Sequence, residues 1–292
     1  MKTVNEKYQD IITRVSRLAQ ERDDIRAAIM VGSRARQDTP ADDWSDLDVS
    51  IVTTTPNFYI NEESWLREIG DYWVTFIENT ATGEEKERRV IFEDGLDVDF
   101  AILPVETVCQ IMANSGKCIP EDIKYSLGRG FRILIDKDSL FDNLSEADLK
   151  TAVPVPPSEQ EFLNHVNDFI YHYVWTLKKL RRQELWTAKG CSDNYLKWRL
   201  LTLSEWHARI INGNAYDTWH CGRFFEKWAD PRVVDGMKHS FAHFDAVDIL
   251  RALNETYKIF RMLAIEVAEK LNYSFPFENE EKVIKWTDNI VR

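Results

Sequence analysis

Hydrophobic and polar residues in the first half of the chain follow patterns typical of β-strands. Apolar runs bounded by turn residues predict five strands, at residues 25–31, 47–53, 72–78, 89–93 and 96–103. The second run alternates, with Leu47, Val49 and Ile51 on one face and Asp48 on the other. Asp94-Gly95 between the last two runs indicates a hairpin. A helical spacing of apolar residues predicts a first helix over 4–20, and polar loops are predicted at 38–45 and 81–86.

The pattern changes to a helical period after the Pro-rich segment 150–157. Ser158 and Glu161 form a capping-box signature at the start of one predicted helix. Two further helices are predicted, over residues 192–212 and 245–271, and the acidic run 278–281 is interpreted as a solvated tail. We therefore predict an α+β protein, with a mixed sheet and helices in a first domain (1–150) and an α-helical bundle in a second domain (151–292).

The charge of the chain narrows the set of partners. Asp and Glu total 49 against 37 Lys and Arg, which gives a formal net charge of -12. An acidic surface repels phosphate backbones and attracts cations, so we expect no nucleic-acid partner and favour a cationic small molecule. The chain shows no signal peptide and no apolar stretch of membrane-spanning length, so we expect a cytoplasmic protein with no membrane partner.

Gly32-Ser33 directly follows the first buried strand, where the chain is predicted to turn into a helix. The free N–H groups at a helix N-terminus, together with the helix dipole, favour phosphate. Gly32 would let phosphates approach the backbone closely, and the Ser33 hydroxyl could donate a further hydrogen bond.

Carboxylates are predicted to gather beside this turn. Asp46 and Asp48 are two residues apart at the start of a strand, so their side chains point to the same face. Asp99 lies between apolar residues on a later strand and would complete the group if the two strands are neighbours. Asp97 shares its parity and is the alternative third acid. Oxygen ligands of this kind suit Mg²⁺, and two Mg²⁺ ions could support an in-line displacement at phosphorus.

These residues resemble a known signature. Gly32-Ser33, Asp46-x-Asp48 and Val98-Asp99-Phe100 are similar to the motifs of polymerase-β-type nucleotidyltransferases. Within that superfamily, the Gly-Ser-Arg at 32–34, the acidic segment 40–48 and the segments 92–95 and 99–104 resemble the aminoglycoside 6-adenylyltransferases, which adenylylate streptomycin. The helical half is similar as well, at positions that include Lys178, Glu184 and Trp206.

The resemblance implies a role for each of these residues. Asp46, Asp48 and Asp99 would be the catalytic metal ligands, and Asp99 could also accept the hydroxyl proton. Gly32, Ser33, Arg34 and Lys178 would bind the nucleotide, with ATP as the co-substrate. The acceptor would lie between the domains, with Glu93, Glu184 and Trp206 as candidate contacts. The implied reaction is transfer of AMP from ATP to a hydroxyl of an aminoglycoside such as streptomycin, with release of pyrophosphate.

Three alternatives remain open on sequence grounds. The same chemistry could act on another small molecule or on a protein hydroxyl. The chain could also be a regulatory nucleotide-binding module without turnover, although all three acids are present. A template-directed polymerase is disfavoured because the chain has no basic stripe. His207 is interpreted as a packed helix residue or a weak substrate contact.

Overall fold

The structure, a computed structural model, describes residues 2–36, 38–80, 85–113 and 119–291. The chain divides into two compact units, Met1–Ala152 and Val153–Arg292. The first unit is built on a six-stranded mixed sheet and the second is helical, so the predicted α+β class is confirmed.

The sheet of the first unit has the strand order β3-β4-β5-β2-β1-β6. Its strands are β1 (Ile25–Val31), β2 (Leu47–Thr53), β3 (Tyr72–Asn79), β4 (Lys86–Phe92), β5 (Leu96–Pro104) and β6 (Arg132–Asp136). Strands β2 and β5 pair in parallel, and the other neighbouring pairs are antiparallel. The parallel pairing determines where the site lies, because it brings the first residues of β2 and β5 to the same edge of the sheet.

Helices cover both faces of this sheet. They are α1 (Val4–Glu21), α2 (Pro56–Asn61), α3 (Leu66–Ile69), α4 (Val105–Ala113) and α5 (Glu121–Gly128). Helix α1 begins at a capping box formed by Thr3 and Glu6 and packs its apolar stripe into the main core with α2 and α3. On the opposite face, apolar residues of α4 and α5 pack against residues of β1, β2 and β5.

The second unit contains seven helices within residues 153–291. They are α6 (Glu159–Arg181), α7 (Leu185–Gly190), α8 (Leu196–Asn212), α9 (Phe225–Trp228), α10 (Pro231–Met237), α11 (Ala246–Leu271) and α12 (Phe277–Val291). The predicted capping box of Ser158 and Glu161 opens α6. A π-helical segment, Cys191–Tyr195, joins α7 to α8. Aromatic and aliphatic residues of α6, α8 and α11 form the core, in which the rings of Phe169 and Phe260 stack at 3.7 Å.

Several predicted elements need correction. Gly32–Arg34 forms a single 3₁₀ turn, and no regular helix follows it in residues 35–36 or 38–46. The predicted N-terminus of a regular helix is therefore wrong. The acidic run 278–281 lies in α12 and is no solvated tail, because Glu280 is buried and bonded to Tyr257 and Arg261. Within the predicted loop 81–86, residues 81–84 lie outside the described residues and Lys86 begins β4.

No helix in the described part of the chain is both long enough and apolar enough to cross a membrane.

Candidate active site

Three carboxylates converge where β2 and β5 begin. In the parallel register Asp48 lies beside Asp99, and Asp46 directly precedes β2. Carboxylate oxygens of Asp46, Asp48 and Asp99 all lie within 4.8 Å of one another. The alternative acid, Asp97, is not part of this group. The structure thus brings together the three acids that the sequence singled out.

Asp99 is the buried member of this group. Its side chain is only 7% exposed, and burial together with the neighbouring carboxylates of Asp48 and Asp97 raises its pKa to about 7. The Arg89 guanidinium opposes this increase, with Nη1 3.2 Å from Asp99 Oδ2. The other oxygen, Oδ1, is buried and has no hydrogen-bond partner among the described residues. A buried carboxylate oxygen without a donor is costly, so this atom needs a proton or a cation.

Gly32 closes the site from the end of β1. Its φ of +69° is in the left-handed region, and a Cβ built on it would lie 1.8 Å from Asp48 Oδ2. Since β1 pairs Val31 with Asp48, the chain turns immediately beside that carboxylate. Only glycine fits, for reasons of both backbone conformation and space. The sequence assigned Gly32 to the approach of phosphates, whereas the structure shows that it also makes room for Asp48.

Ser33 and Arg34 hold the loop that delivers Asp46. Ser33 Oγ donates to the backbone oxygen of Asp46 at 3.3 Å, and Arg34 Nε donates to the same oxygen at 3.1 Å. Arg34 Nη2 donates to Ser45 O at 2.7 Å, and the guanidinium lies 3.5 Å from the centre of the Tyr8 ring. Both side chains therefore fix the backbone before β2, and their predicted contact with nucleotide remains a prediction.

The residues fit a divalent cation. The donor set is three carboxylates, which are hard oxygen ligands, and one of their oxygens is buried without a partner. Without a cation, three negative groups this close repel one another. Asp46, Asp48 and Asp99 would hold the ion, and Gly32 leaves the space that their arrangement needs.

A second group of side chains that could bind a metal lies in the helical unit, and an arginine already pairs with its carboxylates. His207 Nε2 lies 2.9 Å from Glu266 Oε2, near Asp230. The guanidinium of Arg232 donates to both Glu266 oxygens and to both Asp230 oxygens at 2.7 to 2.9 Å. This guanidinium already supplies positive charge to the group. His207 is buried on α8, as the packed-helix interpretation expects, and its weak substrate contact stays a prediction.

The other predicted site residues have defined surroundings, each within its own unit. Glu93 is exposed in the turn between β4 and β5. Lys178 is exposed on α6, with Nζ 5.5 Å from the ring centre of Trp286. Glu184 pairs with Lys179 and Arg182 at the start of α7, and these ion pairs lower its pKa.

Trp206 on α8 lines a cleft of about 420 Å³ in the helical unit, beside Asp168 and Arg199. This cleft is large enough for a small molecule. The substrate roles of Glu93, Glu184 and Trp206, and the nucleotide role of Lys178, stay predictions.

Arg89 and Glu87 are residues next to the site that sequence reasoning missed. Arg89 is the direct cross-strand neighbour of Asp99, and Glu87 lies two residues before it on the same face of β4. The register of the β4–β5 hairpin is the feature of the sequence that could have identified them, because it decides which residue lies opposite Asp99. A two-residue Asp94-Gly95 turn would set Val90 opposite Asp99, but the loop is three residues long, Glu93–Gly95, and so shifts Arg89 into that place.

Comparison with known proteins decides the family. The sequence matches the model of the streptomycin adenylyltransferase family over residues 1–290. The chain belongs to this family. It is 21% identical to the aminoglycoside 6-adenylyltransferase of Bacillus subtilis (strain 168) over 285 residues, which cover 91% of each chain. It is also 21% identical to the enzyme of that name from Staphylococcus aureus over 292 residues, with 97% of each chain covered.

A crystal structure of an aminoglycoside 6-adenyltransferase from Bacillus subtilis covers 100% of this chain and 99% of its own, with 18% identity and a TM-score of 0.46. Family membership makes the chain a nucleotidyltransferase and confirms the family that the sequence motifs indicated.

Proposed function

We propose that the protein transfers the adenylyl group of ATP to a hydroxyl of an aminoglycoside such as streptomycin, with Mg²⁺ bound and pyrophosphate released. The observation that carries the proposal is the group of Asp46, Asp48 and Asp99, in which Asp99 Oδ1 is buried and has no partner in the described part of the chain. Membership of the streptomycin adenylyltransferase family supports the nature of the group transferred. The names of the relatives support an aminoglycoside as the acceptor.

The residues divide the chemistry between them. Asp46 and Asp48 lie at the start of β2 beside Gly32, so they would hold the metal near the triphosphate. Two bound Mg²⁺ ions would neutralise the phosphates and lower the pKa of the attacking hydroxyl. In the transfer step, the hydroxyl oxygen of the acceptor forms a bond to the α-phosphorus, and the bond from that phosphorus to pyrophosphate breaks. The hydroxyl proton passes to Asp99, whose Oδ1 has no other hydrogen-bond partner.

The two units take different parts in this proposal. The first unit carries the three acids and Gly32, so we assign catalysis to it. The helical unit would contribute Lys178 to the nucleotide and Glu184 and Trp206 to the acceptor. The net charge of -12 favours a cationic acceptor, because the field of the protein raises the rate at which cations arrive.

The test is a single incubation with two readouts. Purified protein is mixed with ATP, Mg²⁺ and streptomycin, and pyrophosphate and the mass of the product are measured, with Asp48→Asn in parallel. The proposal expects pyrophosphate and an adenylylated product from the natural protein, both lost in Asp48→Asn and in a chelator.

Pyrophosphate release with a different acceptor would keep the reaction and discard streptomycin. Mg²⁺-dependent ATP binding without any release, across a panel of aminoglycosides and metabolites, would contradict the proposal and favour a regulatory module.

A further inference from the structure

The sheet face on which Asp99 lies continues across the two strands beyond it. Arg89 is the cross-strand partner of Asp99 on β4, and Phe76 is the partner of Arg89 on β3. The next row places Glu87 beside Glu78. Paired residues of antiparallel strands point to the same face, so these side chains share the face of Asp99. We call Phe76, Glu78, Glu87 and Arg89 the β3–β4 face.

The charges on this face are unbalanced. The guanidinium of Arg89 pairs with Asp99 at 3.2 Å, with Glu87 at 2.9 Å and with Glu78. Three carboxylates therefore share one positive group. Burial, together with the neighbouring carboxylate of Glu78, raises the pKa of Glu87. A second positive group placed here would remove the excess negative charge.

Exposed apolar side chains flank these charges. Phe76 is 49% exposed and Val74, on the same face, is 53% exposed. Ile91, the cross-strand partner of Val74, is also exposed. An exposed apolar patch that borders an acidic group is typical of a binding surface. Sugar rings have apolar faces and charged substituents, so the combination suits an aminocyclitol glycoside.

The β3–β4 face lies next to Asp99, and this position decides which part of the substrates it would contact. If Asp99 receives the proton of the attacking hydroxyl, that hydroxyl must lie beside Asp99. Neighbouring strands are about 4.8 Å apart, so β4 lies about 5 Å and β3 about 10 Å beyond it. An acceptor of two or three linked rings spans this distance. The triphosphate is expected on the other side, next to Gly32 and Asp48, so the two substrates do not compete for the same surface.

We propose that the β3–β4 face binds the acceptor, with Glu78 and Glu87 contacting a positively charged group of it and Phe76 packing against a ring. This inference rests on the proposed function, because it takes the acceptor to be a cationic aminoglycoside.

The experiment measures KM for streptomycin, KM for ATP and kcat in Glu78→Gln, Glu87→Gln and Phe76→Ala. The matched control is Glu63→Gln, because Glu63 lies 3.6 Å from the guanidinium of the adjacent arginine, Arg88, which is buried on the opposite face. We expect KM for streptomycin to rise about 10-fold in each Glu variant, as for loss of a charged hydrogen bond. It should rise about fivefold in Phe76→Ala, which loses ring packing. KM for ATP and the Glu63→Gln values should not change.

The experiment distinguishes failure of the proposed function from failure of the inference about the β3–β4 face. If the natural protein transfers no adenylyl group to any aminoglycoside, the proposed function and this inference fall together. If it does, but KM for streptomycin is unchanged in Glu78→Gln and Glu87→Gln, or rises equally in Glu63→Gln, this inference alone is overturned. Glu78 is half exposed on the outer strand, so Glu78→Gln keeps the test valid even if Glu87→Gln does not fold.

Discussion

Replacing Gly32 by alanine should remove activity while the fold survives. The added Cβ would lie 1.8 Å from Asp48 Oδ2 and 2.7 Å from its Cγ, whereas real Cβ contacts essentially never fall below 3.0 Å. The Asp48 carboxylate must therefore move by at least about 1 Å, out of the group that it forms with Asp46 and Asp99.

The magnitude has two separable parts. The left-handed φ of +69° costs an alanine about 1–2 kcal/mol of folding stability. Displacement of a catalytic group by 1 Å can lower turnover about 100-fold. Gly95→Ala separates the two effects. Gly95 has a similar φ of +75°, but apart from Gly95 and its two chain neighbours no described atom lies within 4 Å of the place that an added Cβ would take. Both variants should lose similar stability, and only Gly32→Ala should lose turnover.

The assay pairs urea unfolding with the initial rate of pyrophosphate release at saturating ATP and Mg²⁺. Addition of Mg²⁺ should stabilise the natural protein and Gly95→Ala, and should stabilise Gly32→Ala less. Equal turnover in the two alanine variants would refute the reasoning, because it would show that the space beside Asp48 is not needed.

Three further predictions concern charged groups in the two units. At a Mg²⁺ concentration of about 100 times its Kd, the free energy of unfolding of the natural protein should rise by about 2.7 kcal/mol. That of Asp48→Asn should hardly change. Equal gains in the two proteins would show that the metal binds elsewhere. Glu280→Ala should lower the free energy of unfolding in urea by about 2 kcal/mol, because Glu280 is buried against the Tyr257 hydroxyl. The matched variant at the exposed residue Glu278, Glu278→Ala, should lower it hardly at all. Similar losses in the two variants would contradict the role of Glu280 in α12. Burial lowers the pKa of Lys197 to about 8 from 10.5, so the unfolded chain binds more protons between these values and the stability of the natural protein should rise with pH there. Between pH 8 and 10.5, the free energy of unfolding of the natural protein should rise by at most about 3 kcal/mol relative to that of Lys197→Met. A difference between the two proteins that does not change with pH would refute this prediction.

Much of the sheet could be predicted because its apolar pattern is strong. β1 and β2 begin and end at the predicted residues, since each is a buried run between charged or turn residues. The three acids were found for the same reason: parity within each strand fixes which side chains share a face. What the pattern could not supply was the neighbour of each strand, and the contact of Asp48 with Asp99 depends on β2 and β5 pairing in parallel.

The remaining elements depend on tertiary contacts that a single sequence does not display. β6 is short, and its side chains are exposed or only partly buried, so it gives no clear apolar alternation. The acidic start of α12 is polar in sequence, yet Glu280 is buried because Tyr257 and Arg261 supply its partners from another helix. The role of Gly32 likewise needed the three-dimensional structure, because its close neighbour, Asp48, is distant in sequence.

The most direct test of the central claim compares two carboxylates on the same strand. Asp99→Asn removes a member of the proposed metal group, whereas Asp97→Asn removes an acid of the same parity that is outside it. Adenylyl transfer to streptomycin is measured for both by product mass under single-turnover conditions. We predict a loss of at least about 100-fold for Asp99→Asn, as for removal of a group that stabilises transition-state charge, and near-natural transfer for Asp97→Asn. Retained transfer in Asp99→Asn, with loss in Asp97→Asn, would contradict the assignment of Asp99 to the active site.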